Sequence, residues 1–365
     1  MNRVRQPEFE MPSPTAPSAE HGKNRPGKIK RLFRQFGRKL TAWRRQWKRP
    51  YDPRQLDSRV TFAGRELGFY YLYHPKQILV HQEKDPMGFS VIKIGSRAYR
   101  QPLTHCQVAL GHFHEYLETK NEAAKQQFLR SADLLLEAME TVTLGGIACR
   151  VWYYRFPLPT YVPHPIPWIS CMAQGGAMSV FCRAYQMTGR KEFLDAAKGA
   201  TAVYNVPVEQ GGILGADREE HVYYEEYPFP GKSYHVLNGF MSSLMGLYDL
   251  YRATGDEEAK RLFDQGMATL TADSILARYD LGYCSLYDLS GVRRVRPAYI
   301  RYNLVHVRQL TVFYRITGND LLRRWAERWF AYSQNPLCRF RCLLDTIVYG
   351  LRNIPRHLKE AMIES

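Results

Sequence analysis

The chain has 365 residues, 45% of them hydrophobic, and 51 Lys and Arg against 35 Asp and Glu give it a net charge of +16. That length can bury a sizeable core, but no apolar run approaches the roughly 20 residues of a membrane span, and the N-terminus lacks the apolar stretch of a signal peptide. The seven cysteines (Cys106, Cys149, Cys171, Cys182, Cys284, Cys338 and Cys342) are scattered without a C-x-x-C pair, so neither a disulfide framework nor a zinc site is expected, and a cytoplasmic location is.

Residues 1–50 form a basic tail. Residues 1–54 carry 15 Lys and Arg against 4 Asp and Glu, and composition through Pro26 predicts disorder. From Lys28 to Arg49, Leu32, Phe33, Phe36, Leu40, Trp43 and Trp47 recur at helical spacing among basic residues. An amphipathic basic helix of this kind suits an anionic membrane surface or docks on the body of the protein. No nucleic-acid recognition motif accompanies the charge. Residues 51–100 make a short strand-containing segment, with strand-like runs at Phe69–Tyr73 and Gln77–His81 around Pro75.

Residues 101–335 carry a repeat. Tyr116-x-x-Thr119, Tyr185-x-x-Thr188-Gly189, Tyr251-x-x-Thr254-Gly255 and Tyr314-x-x-Thr317-Gly318 recur at Thr-to-Thr steps of 69, 66 and 63 residues. In three of the four a glycine stands where a helix C-cap needs a left-handed residue. Apolar residues step by three or four on both sides of each signature, as at Val236, Phe240, Leu244, Leu247 and Tyr251 before Gly255. Each signature therefore reads as the tip of a helical hairpin, over about 103–140, 172–205, 236–270 and 302–333. Two helices per repeat at this period predict a mainly α fold, an incomplete α/α toroid of about four hairpins. Residues 336–365 read as a C-terminal helix.

Long connections run between hairpins from Gly145-Gly146, Gly211-Gly212 and Gly282. They occupy the same place in successive repeats and should emerge at one rim. They carry Tyr223-Tyr224-Glu225-Glu226-Tyr227-Pro228 and Ser285-Leu286-Tyr287-Asp288-Leu289, and lead into Arg301-Tyr302-Asn303-Leu304-Val305-His306. Phenols and carboxylates gathered on one rim suit acid/base chemistry on a carbohydrate. His105 and His112 share a helical face without an evident third ligand, so no metal site is expected.

Five runs occur in an order that resembles the C-terminal domain of the D-glucuronyl C5-epimerases. They are Trp168 through Gln174, Tyr224-Glu225-Glu226-Tyr227-Pro228, Val236-Leu237-Asn238-Gly239-Phe240 with Gly246 through Leu250, Leu286-Tyr287-Asp288-Leu289, and Tyr302 through His306 to Gln309. The resemblance implies inversion at C5 of D-glucuronate residues in a heparosan-like polysaccharide, with no redox cofactor. It implies catalytic roles for Glu226, Tyr287 and Tyr302, with Glu226 and Tyr302 on opposite faces of the sugar. Tyr227, Asn238, Gln174, Arg301, Asn303 and His306 would bind substrate. Ser290-Gly291 replaces an Arg-His pair of the animal enzymes, and Arg293, Arg294 or Arg296 could supply the missing cation. A polysaccharide lyase of the same fold and a non-catalytic polyanion-binding protein are the rival readings. Expected partners are an anionic uronate polysaccharide, an anionic membrane surface through residues 28–49, and a second copy of the chain.

Overall fold

In a computed structural model the chain is described at residues 52–72, 83–157, 165–290, 298 and 300–352. The basic tail, the Gln77–His81 run and the three arginines at 293, 294 and 296 lie outside these residues.

Four helical hairpins stand among the described residues. The first pairs α1 (Pro102–Thr119) with α2 (Glu122–Glu137), and the second α3 (Cys171–Thr188) with α4 (Lys191–Gly199). The third pairs α5 (Leu237–Thr254) with α6 (Glu257–Thr271). A single turn, α7 (Ile275–Arg278), precedes the fourth, α8 (Ile300–Thr317) with α9 (Asp320–Gln334). The C-terminal helix α10 (Pro336–Arg352) packs on α9.

The tips explain the Tyr-x-x-Thr signature. At every tip the threonine hydroxyl donates back to the carbonyl four residues earlier and accepts the N–H two residues on, as in Thr254 Oγ1 to Leu250 O (2.6 Å) and Asp256 N to Thr254 Oγ1 (3.2 Å). The tyrosine carbonyl takes the N–H of the left-handed residue that follows, Lys120, Gly189, Gly255 or Gly318. The hydroxyl thus satisfies a helix-end carbonyl and fixes the turn into the next helix.

The first helices of the hairpins form an inner row, α1 against α3, α3 against α5 and α5 against α8, with α2, α4, α6 and α9 behind. This is the α/α toroid. On α1, Ser90 N donates to His105 Nδ1 at 3.1 Å and His105 Nε2 faces Ser131 O at 3.1 Å, so both ring nitrogens serve packing.

Phe69–Leu72 is not a strand. The segment from Thr61 to Tyr71 crosses the tip ends of the inner helices, and its backbone bonds to their side chains instead of to a neighbouring strand. Arg252 reaches Thr61 O and Gly64 O, Tyr248 Oη donates to Phe62 O, and Arg183 Nε donates to Gly68 O. Tyr70 N donates to His114 Nε2 of α1 while Tyr71 O accepts from Arg308 of α8. The segment therefore links the two ends of the inner row.

Among the described residues the strands form three two-stranded hairpins: β1 (Val91–Ile94) with β2 (Arg97–Arg100), β3 (Glu140–Leu144) with β4 (Ile147–Val151), and β5 (Leu214–Ala216) with β6 (Val222–Tyr224). The last two lie in the connections. Gly145-Gly146, with φ of 55° and 81°, turns β3 into β4.

Candidate active site

The inner helices present their N-terminal ends to the rim where the connections emerge, and the connections cap them. Cys171 N at the start of α3 donates to Glu225 O, and Leu237 N at the start of α5 donates to Tyr287 O, both at 3.1 Å. Leu289 N donates to Tyr234 O (2.9 Å), joining two connections directly. Each capping carbonyl belongs to a stretch rich in Tyr and acidic residues, so helix capping and placement of those side chains are one event.

The paired carboxylates diverge. Neighbouring residues of an extended chain point to opposite sides, and here Glu225 turns to His235 (2.7 Å between Oε1 and Nδ1) while also accepting His235 N at 3.0 Å. Both are buried, the Tyr223 ring stacks on the imidazole at 4.0 Å, and Tyr279 Oη donates to His235 O. These contacts hold His235 at φ +49°, immediately before α5. Glu226, 6% exposed, turns to the first turn of α5, where a Cβ on Gly239 would fall 2.2 Å from its Oε2. Only glycine leaves room for that carboxylate.

Glu226 charge reaches Tyr154 and Cys171, whose protons are held on by burial first and by the neighbouring carboxylate in addition. Tyr227 is half-buried between two aromatic clusters, one of Tyr154, Phe156 and Trp168, the other of Tyr234, Tyr287 and Ala298. Its ring lies 5.8 Å from that of Trp168. Tyr287 and the half-buried Tyr302 meet edge to face, centroids 5.0 Å apart at 82°. Glu226, Tyr227, Asn238, Tyr287 and Tyr302 are thereby gathered around the starts of α5 and α8.

Of the remaining nominated residues, Gln174, Asn303 and His306 bond to the surrounding frame. Gln174 accepts Trp152 N at 3.3 Å and donates to Arg150 O at 3.0 Å, so its amide is engaged with the backbone of β4 and the residue after it. Asn303 accepts Ser285 N at 2.9 Å and donates to Trp329 O at 2.8 Å. His306 Nδ1 lies 2.8 Å from Ser285 Oγ, and burial holds its pKa down to about 3, so the ring is neutral. Arg301 is exposed on the first turn of α8. Ser290 bonds back to Asp288 Oδ1 through its backbone N–H (3.2 Å) and its hydroxyl (2.7 Å).

Tyr154, Cys171 and the Glu225–His235 pair were not singled out from sequence. Tyr154 could have been, since it lies in the first Gly-started connection, and His235 directly precedes the Val236-Leu237-Asn238 run.

Comparison with known proteins bears on this rim. A 28% identical protein of Methanocaldococcus jannaschii, itself uncharacterized, aligns over 230 residues, 60% of this chain and 72% of that one. The D-glucuronyl C5-epimerase of Caenorhabditis elegans is 34% identical over 184 residues, 46% of this chain, and the matched part spans 29% of the length of the nematode enzyme. Among solved structures, cellobiose 2-epimerase from Bacillus thermoamylovorans superposes with a TM-score of 0.48 at 10% identity over 71% of this chain and 68% of that one. The profile of the family described as D-glucuronyl C5-epimerase C-terminus matches residues 146–331, just over half of the chain, from Gly146 in the first connection into α9, and the chain belongs to that family.

Proposed function

We propose that the protein inverts C5 of D-glucuronate residues in a heparosan-like polysaccharide by removing the C5 proton and returning one to the opposite face. The observation that carries this is the edge-to-face pair Tyr287–Tyr302 beside the tyrosine that follows Glu226, on a rim of connections within the family match. The C5 proton lies next to a carboxylate, so its removal spreads charge onto that group and needs a base on one face and an acid on the other. A phenol, with an ordinary pKa near 10, returns a proton readily and becomes a base once its phenolate is stabilised.

In this reading Glu226 and Tyr302 serve opposite faces, Tyr287 joins the proton transfer, and Tyr227 and Asn238 hold the sugar. Asn238 Oδ1 is buried and makes no hydrogen bond to any described residue, which suits it to accept from a sugar hydroxyl. The inner helices direct their N-terminal ends to the same rim, and their partial positive charge favours an anionic ligand there. Arg301 supplies an exposed cation at the edge.

The test is incubation with heparosan in deuterated water, followed by NMR of the uronate C5 position. Exchange at C5 with unchanged chain length is expected. No exchange in heparosan and related uronans would overturn the enzyme reading, and new ultraviolet absorbance from an unsaturated uronate would identify a lyase instead.

A further inference from the structure

Among the described residues, helix α10 buries one side against the body. Cys342 is buried with Tyr283, Cys284 and Leu304, and Cys338 packs against the same cluster. On the other side Leu337, Phe340 and Leu344 are 78, 50 and 44% exposed, at positions i, i+3 and i+7 of one face. Residues this large and this exposed on consecutive turns are unusual on a solvated helix. Arg341 is exposed among them, its guanidinium 4.6 Å above the Tyr283 ring. From Pro336 to Leu344 the helix carries two arginines and no acid, and the next acid, Asp345, is bonded to Tyr283 Oη.

Three occupants could cover this stripe, and charge separates them. A second copy of the chain seated face to face on this stripe would bring its own Arg341 to the first, so self-association sets like charges together. A polysaccharide anion satisfies Arg341 but gains nothing from three apolar side chains. An anionic lipid surface takes both, the stripe at the acyl boundary and the guanidinium at the headgroup phosphates.

We propose that this face of α10 lies in the plane of an anionic lipid membrane, as a contact separate from the basic stretch at 28–49. The stripe runs along about 10 Å of helix axis at 1.5 Å per residue, a short anchor suited to reversible attachment with the rest of the body outside the bilayer.

The test is co-sedimentation of the full chain with phosphatidylcholine vesicles, with and without phosphatidylglycerol, alongside light scattering and thermal melts. The wild type should bind the vesicles that contain phosphatidylglycerol. The triple variant Leu337→Ser, Phe340→Ser, Leu344→Ser should lose at least about tenfold in affinity at an unchanged melting temperature. Arg341→Glu, which leaves every apolar contact in place, should weaken binding to the anionic vesicles and leave the zwitterionic baseline unchanged. Wild-type affinity in both variants overturns the proposal. A dimer that the triple variant dissociates, with lipid affinity unaltered, also overturns it and assigns the stripe to a second copy.

Discussion

The two seams flanking α5 are built on different principles. Toward α3, backbone meets backbone: a Cβ on Gly246 would lie 2.2 Å from Gly175 O, and one on Gly175 would lie 2.7 Å from Ser243 Cα. The same seam holds the fully buried ion pair Arg183–Asp249 at 2.7 Å, with Tyr71 Oη also donating to Asp249. Toward α8 the contact is made by side-chain amides. Gln309 Nε2 donates to Asn238 O and to Ser242 Oγ, both at 2.9 Å, while Gln309 Oε1 and Asn238 Oδ1 are buried without a described partner. Close packing with every charge matched makes the first seam rigid. Polar groups left with spare capacity on the second seam accord with the function proposed above, which puts substrate on the side that carries Tyr302.

The comparison can be broken at several points. The largest effects belong to the rim: Tyr302→Phe, on the side of the second seam, or Glu226→Gln, at the start of α5, should cost about 10²–10⁴-fold in turnover while melting temperature changes little, measured as C5 deuterium exchange on heparosan. Equal losses in melting temperature and turnover would mean that these residues are structural. On the first seam Arg183→Met leaves Asp249 buried without its counter-charge and should destabilise by about 3–5 kcal/mol, read from urea denaturation. Gly246→Ala forces α3 and α5 apart and should cost about 1–3 kcal/mol, with the melting temperature lowered before turnover is touched.

Acid should erode stability through neutral buried histidines. Burial holds His105 near 4 and both His114 and His306 near 3, against an ordinary value of about 6.5. Below that ordinary value the unfolded chain binds protons that the native state refuses. Stability is therefore full above about pH 6.5 and falls by about 1.4 kcal/mol per pH unit for each of these histidines until their native values are reached. Urea midpoints between pH 7 and pH 5 measure this, and a flat profile would contradict the burial. The smallest effect is expected for Tyr248→Phe, which removes one bond to Phe62 O at the tip end. It should cost about 1 kcal/mol and change turnover by less than about tenfold.

The hairpins were legible because their information is local. Apolar spacing and a four-residue tip signature repeat, and tip bonds span four residues or fewer. The connections were legible as long Gly-started stretches, but not their strands, which are only three to five residues long. Phe69–Leu72 misled because a run of buried aromatics looks the same whether its backbone pairs with a strand or with side chains such as His114 and Arg308 of the inner helices. Gln174 and Asn303 show the limit at the site: sequence marks a polar residue in a promising run, whereas its bonds are to backbone 18 to 26 positions away. The separation of Glu225 from Glu226 depends likewise on His235 and Gly239, a choice made by the fold.

The threonine-closed tips make the end of the molecule away from the rim modular. Each tip satisfies its own backbone without help from the connections, and Lys120 already occupies, at φ 55°, the left-handed position that the other three give to glycine. A fluorophore attached to the exposed side chain of Lys120 would therefore ride on a self-contained turn at the end of the hairpin away from the rim, and would report on the protein without entering the proposed site.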